Sequence, residues 1–193
     1  MQIIADVSSE GGPLIIGTAS IIKQWKGYEG NPGDDYSRAS AVFDGNPSVE
    51  GGVIAVGSGE CLLWEMQGGG IASVFLSSNG SLVIVRPWLN STDTEDDDCL
   101  SAAQEPITEG RELGQLTLVA GDALTIMWAA ESGLGFSDED FSQTGNPDAD
   151  LAVPGSALVV LTQQHMFTAI HDRVRGDWGE ARRCHLVPIG SPA

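Results

Sequence analysis

The chain has 193 residues, of which 41% are hydrophobic, and sets 27 Asp and Glu against 9 Lys and Arg for a formal charge of -18. Its length fits one domain with a sizeable core, while so negative a balance repels nucleic acid and anionic membrane surfaces. No apolar run approaches roughly 18 residues, so no membrane-crossing helix is expected, and three widely spaced cysteines without a Cys-x-x-Cys pair argue against a disulfide framework or a zinc site.

Residues 1–6 have no basic leader region and too short an apolar stretch for a signal peptide, which points to a reducing, cytoplasmic setting. Gly11-Gly12-Pro13 precedes an apolar run over 14–16. Thr18 or Ser20 can then cap a short helix through Ile21, Ile22 and Trp25 that ends at Gly27. Residues 30–34 read as a loop, after which Asp34 or Asp35 can cap a second helix over 36–42.

From Gly51 onward, short blocks rich in Val, Ile and Leu alternate with Gly, Asn, Ser and Asp, a texture of strands. The expected strands cover 53–56, 61–66, 71–76, 82–87, 116–119, 123–129, 158–162, 166–172 and 183–189. Ser78-Asn79-Gly80 is the clearest hairpin turn, because Asn and Gly accept the positive φ of a tight turn, so the strands beside it should pair antiparallel. Gly52, Ile54, Val56, Gly59, Glu60 and Leu62 recur 62 residues later as Gly114, Leu116, Leu118, Gly121, Asp122 and Leu124. The reading is therefore an α+β fold, predominantly antiparallel β. It consists of two similar β units packed together, over 51–90 and 113–163, within one domain spanning 1–193 and led by one or two short helices.

Between Trp88 and Asp150 lie fifteen carboxylates against one base, Arg111. Within that stretch the run over 91–98 is expected to be solvated and without regular structure. Asp93, Glu95, Asp96, Asp97 and Asp98, with Asp138, Glu139 and Asp140 in the second acidic loop, are the candidate partner-binding residues. Trp88 joins them as a rigid aromatic anchor beside a polar loop, and Trp178 is similarly placed. The natural counterpart of such a surface is a basic protein.

Catalytic patterns are missing where they would be expected. Ser58 lacks the glycines of a nucleophile elbow, no Gly-Lys dipeptide exists for a phosphate loop, and Asp93-x-Glu95-x-Asp97 has Asp98 where a calcium loop bends at Gly. His165, His171 and His185 have no metal-ligand spacing and read as structural or surface groups. Glu60 and Glu65 could be paired glycosidase carboxylates, but odd spacing on one strand sends them to opposite faces. Trp25, Trp64 and Trp128 sit in or beside apolar runs, where packing with the indole N–H on a carbonyl is the simpler account. Arg173, Arg175, Arg182 and Arg183 are nearly cancelled by Asp172, Asp177 and Glu180, which suggests charge pairing across a hairpin. No enzyme activity, cofactor or metal is expected. The rival functional readings are a small-molecule or glycan binding β module and a carboxylate-based hydrolase.

Several short motifs together resemble the immunity protein 21 family of bacterial toxin systems. They are Gly11-Gly12-Pro13-Leu14, Trp25 with Gly27, Asp35-Tyr36 with Arg38-Ala39, Gly52-Val53-Ile54-Ala55-Val56-Gly57, Gly59-Glu60-x-Leu62 and the closing Arg183-x-His185-Leu186-Val187-Pro188. The resemblance implies a cytoplasmic antidote that binds and neutralises a cognate toxin made by the same bacterium. The segments over 29–33 and 91–112 are longer or more acidic than the family pattern, so contacts made there would be particular to this chain.

Overall fold

The computed structural model describes residues 1–9, 11–43, 49–65, 70–88, 96–135, 157–177 and 179–190, and leaves the side chains of Trp88, Asp96, Asp97 and Gly135 undescribed. In chain order the elements are β1 (Gln2–Ser9), β2 (Leu14–Thr18), α1 (Ala19–Ile22), α2 (Asp35–Phe43), β3 (Gly51–Val56), β4 (Gly59–Trp64), β5 (Gly70–Leu76), β6 (Leu82–Trp88), α3 (Asp96–Gln104), β7 (Arg111–Thr117), β8 (Leu124–Trp128), β9 (Ala157–Val160), β10 (Met166–Gly176) and β11 (Gly179–Pro188). They form two antiparallel sheets, ordered β1-β5-β6-β11-β10-β7 and β3-β4-β2-β8-β9.

Side-chain alternation explains why the sheets stack. Leu14, Ile16, Leu62, Trp64, Leu124, Ile126 and Leu158 of the five-stranded sheet face Val74, Leu82, Ile84, Phe167, Cys184 and Leu186 of the six-stranded one, making one dry layer. The opposite face of the five-stranded sheet, with Ile15, Cys61, Leu63 and Met127, is covered by Ile22, Trp25, Ala39 and Phe43 from the α1–α2 region. The opposite face of the six-stranded sheet, with Phe75, Val83, Val85, Val174 and Ala181, is covered by Cys99, Ala102 and Ala103 of α3. The result is helix, sheet, sheet, helix.

Most expected strands are present within a few residues, and the Ser78-Asn79-Gly80 turn joins β5 to β6 with Leu76 opposite Leu82. Four findings differ. The 14–16 run is the first part of β2, a central strand buried on both faces, so it has no alternation to betray it. Residues 2–9 form edge strand β1, whose alternation is interrupted by a register shift between Ile3 and Ala5. The strand expected over 116–119 instead runs from Arg111 to Thr117, because pairing with β10 selects a polar, half-exposed segment that apolar patterning overlooks. Finally, the 91–98 run is not irregular throughout: Asp96 opens α3, whose Cys99, Ala102 and Ala103 have the spacing of a buried helical stripe. Negative charge at that end of a helix is favoured by the macrodipole.

The two-unit arrangement is not reproduced in the pairing. β3 and β4 form a hairpin in one sheet, whereas their sequence counterparts β7 and β8 lie in different sheets. The spaced Gly and Leu recur in both places without specifying the same partner.

Both expected helices are present. Asp34 caps α2, its Oδ1 accepting the Ser37 amide at 2.7 Å and its Oδ2 the Glu29 amide at 2.9 Å. After α1, Gly27 takes φ +70, and a Cβ there would lie 2.4 Å from the Glu131 carbonyl oxygen and 2.5 Å from that of Ala130. Gly121 has a similar φ of +78 but open space around it. Gly121→Ala should therefore cost about 1 kcal/mol from backbone conformation alone, and Gly27→Ala at least about 3 kcal/mol because the backbone must also part. Urea unfolding of the two variants measures the difference; equal losses would mean that the Gly27 contact is not tight.

Candidate functional site

The residues expected to bind a partner are only partly within view. Trp88 ends β6 opposite Glu180, Asp96 and Asp97 open α3, and Asp98 is half-buried in its first turn. Asp93, Glu95, Asp138, Glu139 and Asp140, together with Trp178, lie outside the described residues. Further along the acidic stretch, Glu105, Glu109 and Glu112 are exposed. No statement about proximity of the two acidic loops follows from the fold.

Three of the arginines behave differently: the structure buries Arg86, Arg182 and Arg183. On the sheet face that meets the second sheet, Arg86 of β6 stands opposite Arg182 of β11, which stands opposite Arg173 of β10. Three cations on one rung would repel strongly in a low-dielectric interior. They are met by carboxylates from the rim of the other sheet. Glu65 receives Arg182 Nη1 at 2.5 Å and lies 4.0 Å from Arg86 Nη1, while Glu50 pairs with Arg173. Arg86 is fully buried and also donates to Ser9 Oγ at 3.1 Å and to the Glu65 carbonyl at 3.3 Å. Burial lowers the affinity of its guanidinium for the proton, and Glu65 opposes that shift.

Local backbone geometry puts Glu65 there. Trp64, the last residue of β4, points into the layer between the sheets, so continued alternation would turn Glu65 away. Its φ of +62, the only positive value at a non-glycine among the described residues, breaks that alternation. Sequence spacing alone assigned Glu60 and Glu65 to opposite faces of one strand. Instead they lie near opposite ends of β4, Glu60 exposed and Glu65 buried. Glu50, which the sequence did not single out, stands beside Glu65 and donates no free carboxylate either, being held by Arg173 and by His171 Nε2 at 2.5 Å.

His171 completes this cluster. Its Nδ1 accepts the Trp64 indole N–H at 3.1 Å, which requires that nitrogen to be unprotonated. Trp25 and Trp128 follow the simpler pattern, donating to the Ala129 carbonyl at 2.8 Å and the Gly11 carbonyl at 2.6 Å. Burial pushes the His171 pKa down to about 4, with Glu50 opposing and Arg173 and Arg182 reinforcing the shift.

A second ionic group lies under α3. Asp172 holds Arg183 through both carboxylate oxygens and His185 Nε2 at 3.0 Å. Burial alone would raise the Asp172 pKa, but the His185 and Arg183 hydrogen bonds outweigh it and the net shift is downward. Arg183 also donates to the carbonyls of Ala102 at 2.7 Å, Glu105 at 2.6 Å and Pro106 at 3.2 Å, so it fastens the C-terminal end of α3 to the sheet. Arg175 and Glu180 pair across the same hairpin. Charge pairing along β10 and β11 thus agrees with the sequence reading, except that Arg173 and Arg182 take their partners from the other sheet.

A cleft of about 240 Å³ lies between the α1–α2 loop and the tip of the β3–β4 hairpin, lined by Lys26, Glu29, Asp34, Asp35, Arg38 and Gly57 among others. Asp35 accepts the Lys26 amide at 2.9 Å and pairs with Arg38 Nη1 at 2.6 Å. Hydrogen bonds from Ser37, then from the Glu29 and Asn31 amides, hold the Asp34 pKa down to about 2. Among the described residues no cluster of three or more His, Cys, Asp or Glu converges on a common point, and no helix is long and apolar enough to cross a membrane.

Two expectations follow. Glu65→Gln leaves Arg86 and Arg182 buried without their counter-charge and should destabilise the fold by about 3–5 kcal/mol, measured by urea unfolding; a loss under about 1 kcal/mol would show the pair to be solvated. For His171 the unfolded chain binds the extra proton near pH 6.5 and the folded chain only near 4. Stability from this residue is complete above the higher value and falls as pH drops through that window, by about 3 kcal/mol. His171→Asn, which keeps an acceptor for Trp64, should flatten the stability profile between those values; an unchanged slope would assign the dependence to other groups. Comparison of the chain with protein-family models, with curated proteins and with solved structures finds no match to any of them.

Proposed function

We propose that this chain is a non-catalytic binding protein of the immunity type, which captures and neutralises a basic bacterial toxin in the cytoplasm through an acidic exterior. The carrying observation is how the two signs of charge are divided. Arg38, Arg86, Arg173, Arg175, Arg182 and Arg183 are each engaged with Asp35, Glu50, Glu65, Asp172 or Glu180. Beyond these named pairs the sequence has three further basic residues, Lys23, Lys26 and Arg111, to set against the rest of its 27 Asp and Glu. The balance beyond the pairs is therefore more acid-rich than the composition as a whole. Such a surface accelerates encounter with a cationic partner and sets partner choice more than final affinity.

The resemblance to the immunity protein 21 family supports the same reading and supplies the biological setting, a toxin from the same bacterium. Glu50 and Glu65, the inward-facing carboxylates that a hydrolase would need, are committed to guanidinium and imidazole partners, an arrangement that does not favour acid–base turnover.

The test is co-expression and co-purification with the product of the neighbouring toxin-like gene, followed by stopped-flow mixing. Replacing Glu95, Asp96, Asp97 and Asp98 together by Gln or Asn should slow association by about tenfold at low ionic strength, and the difference should shrink at ~0.5 M salt. Equal rates at low salt would remove this segment from the docking surface, and turnover of a substrate by the purified chain would overturn the reading as a whole.

A further inference from the structure

The two sheets have four edges, and three are guarded against pairing with another chain. β1 carries a register shift and the exposed Asp6. β7 carries a register shift with Arg111 and Glu112 both exposed. All four residues of β9 are buried. Bulges, charges and cover are the usual devices that keep an edge strand from templating a new one. β3, Gly51-Gly52-Val53-Ile54-Ala55-Val56, has no charge, no proline and a regular register with β4; Val53 and Ala55 are exposed, and β7 touches it through Gly114 against the Val53 side chain without backbone pairing. Among the described residues no strand pairs with its outer side.

The direction of its backbone groups is fixed by two independent hydrogen bonds. The Glu65 amide donates to the Glu50 carbonyl at 2.9 Å, which sets the phase of the ladder at that end of the hairpin. By the alternation of an antiparallel pair, Gly52, Ile54 and Val56 face β4, while Gly51, Val53 and Ala55 present N–H and C=O outward. Consistently, the Ala55 carbonyl is taken from outside by Arg38 Nη2 at 2.8 Å. Arg38 is exposed, tethered to Asp35 and part of the 240 Å³ cleft that also holds Glu29, Asp34 and Lys26. It sits on the open edge as a removable plug.

We propose that β3 is a docking edge for an extended, cationic segment of a partner protein, which adds as a sixth strand to the five-stranded sheet and places a basic side chain in the cleft. Main-chain bonds to Val53 and Ala55 supply affinity, and the carboxylates of Glu29, Asp34 and Asp35 supply selection for positive charge. The incoming segment displaces Arg38 from the Ala55 carbonyl. This rests on the acidic-binder reading above and specifies where that binder makes backbone contact. A second copy of this chain is disfavoured as occupant by the charge of -18 carried by each copy.

The test uses the full chain with three probes: an end-blocked peptide of alternating Val and Lys, its Val and Glu counterpart, and poly-L-lysine, which binds by charge without forming strands at neutral pH. The Val–Lys peptide is expected to bind and to slow hydrogen exchange at the Val53 and Ala55 amides, while the Val–Glu peptide does not. Val53→Pro removes an outward donor that β4 does not use; it should weaken the Val–Lys peptide at least tenfold and leave poly-L-lysine unaffected. Arg38→Gln should tighten the Val–Lys peptide several-fold. Should Val53→Pro fail to fold, amide protection in the unaltered chain decides alone. Protection at β1 or β7 instead of β3, unchanged binding by a folded Val53→Pro variant, equal binding of the Val–Glu peptide, or a dimer of the chain that Val53→Pro dissociates would each overturn the proposal. Poly-L-lysine bound in those cases leaves the acidic-binder reading standing; no binding of either cationic probe removes both.

Discussion

Two arginines on neighbouring strands, Arg86 and Arg182, occupy the same buried rung, and the sandwich can close at that end only because Glu65 faces them. Unpaired, the cations would have to be hydrated and the sheets could not come together over them. The carboxylate reaches its place through a left-handed backbone at the end of β4, a strained conformation that the ion pair holds in position. Glu50 does the same for Arg173 and His171 one residue pair away. The rim of one sheet is in effect stapled to the face of the other by charge, where a wholly apolar margin would have been simpler to bury.

That arrangement has a consequence for the exterior. Arg86, Arg182 and Arg183, buried with Glu65 and Asp172, do not offset carboxylates at the surface. Self-repulsion is the thermodynamic cost, offset by packing on three apolar layers, one between the sheets and one beneath each helical cover. Arg183 links the two themes. By bonding three carbonyls at the end of α3 it anchors the helix that begins in the acidic run, so part of the negative surface is held on a rigid support.

The edges tell a complementary story. Where β1 and β7 are irregular or charged, β3 is smooth, and its outward Ala55 carbonyl is bonded by a side chain, Arg38, that can swing away. The small cleft at the tip of the β3–β4 hairpin shares Arg38 with that edge, so backbone recognition and charge recognition meet at a single residue.

Sequence by itself determined the β-rich character, most strand positions, the β5–β6 hairpin, both N-terminal helices and, though Thr18 makes no side-chain cap bond to the first, the Asp34 cap of the second, because these depend on local turn chemistry and on apolar spacing within a few residues. It made the burial of Trp25 and Trp64 legible too, whereas Trp128 is only half-buried. It missed β1, where a bulge breaks the alternation, took polar β7 for its apolar downstream end, and overlooked α3 because an acidic run masked the Cys99, Ala102, Ala103 stripe. A repeat visible in Gly and Leu spacing did not become a repeat in pairing, since identical strand patterns can join different neighbours. What only the tertiary structure decided was the fate of each charge. Glu60 and Glu65 are the same residue type on one short segment, and long-range contact with Arg86 and Arg182 sends one inside while the other stays in water.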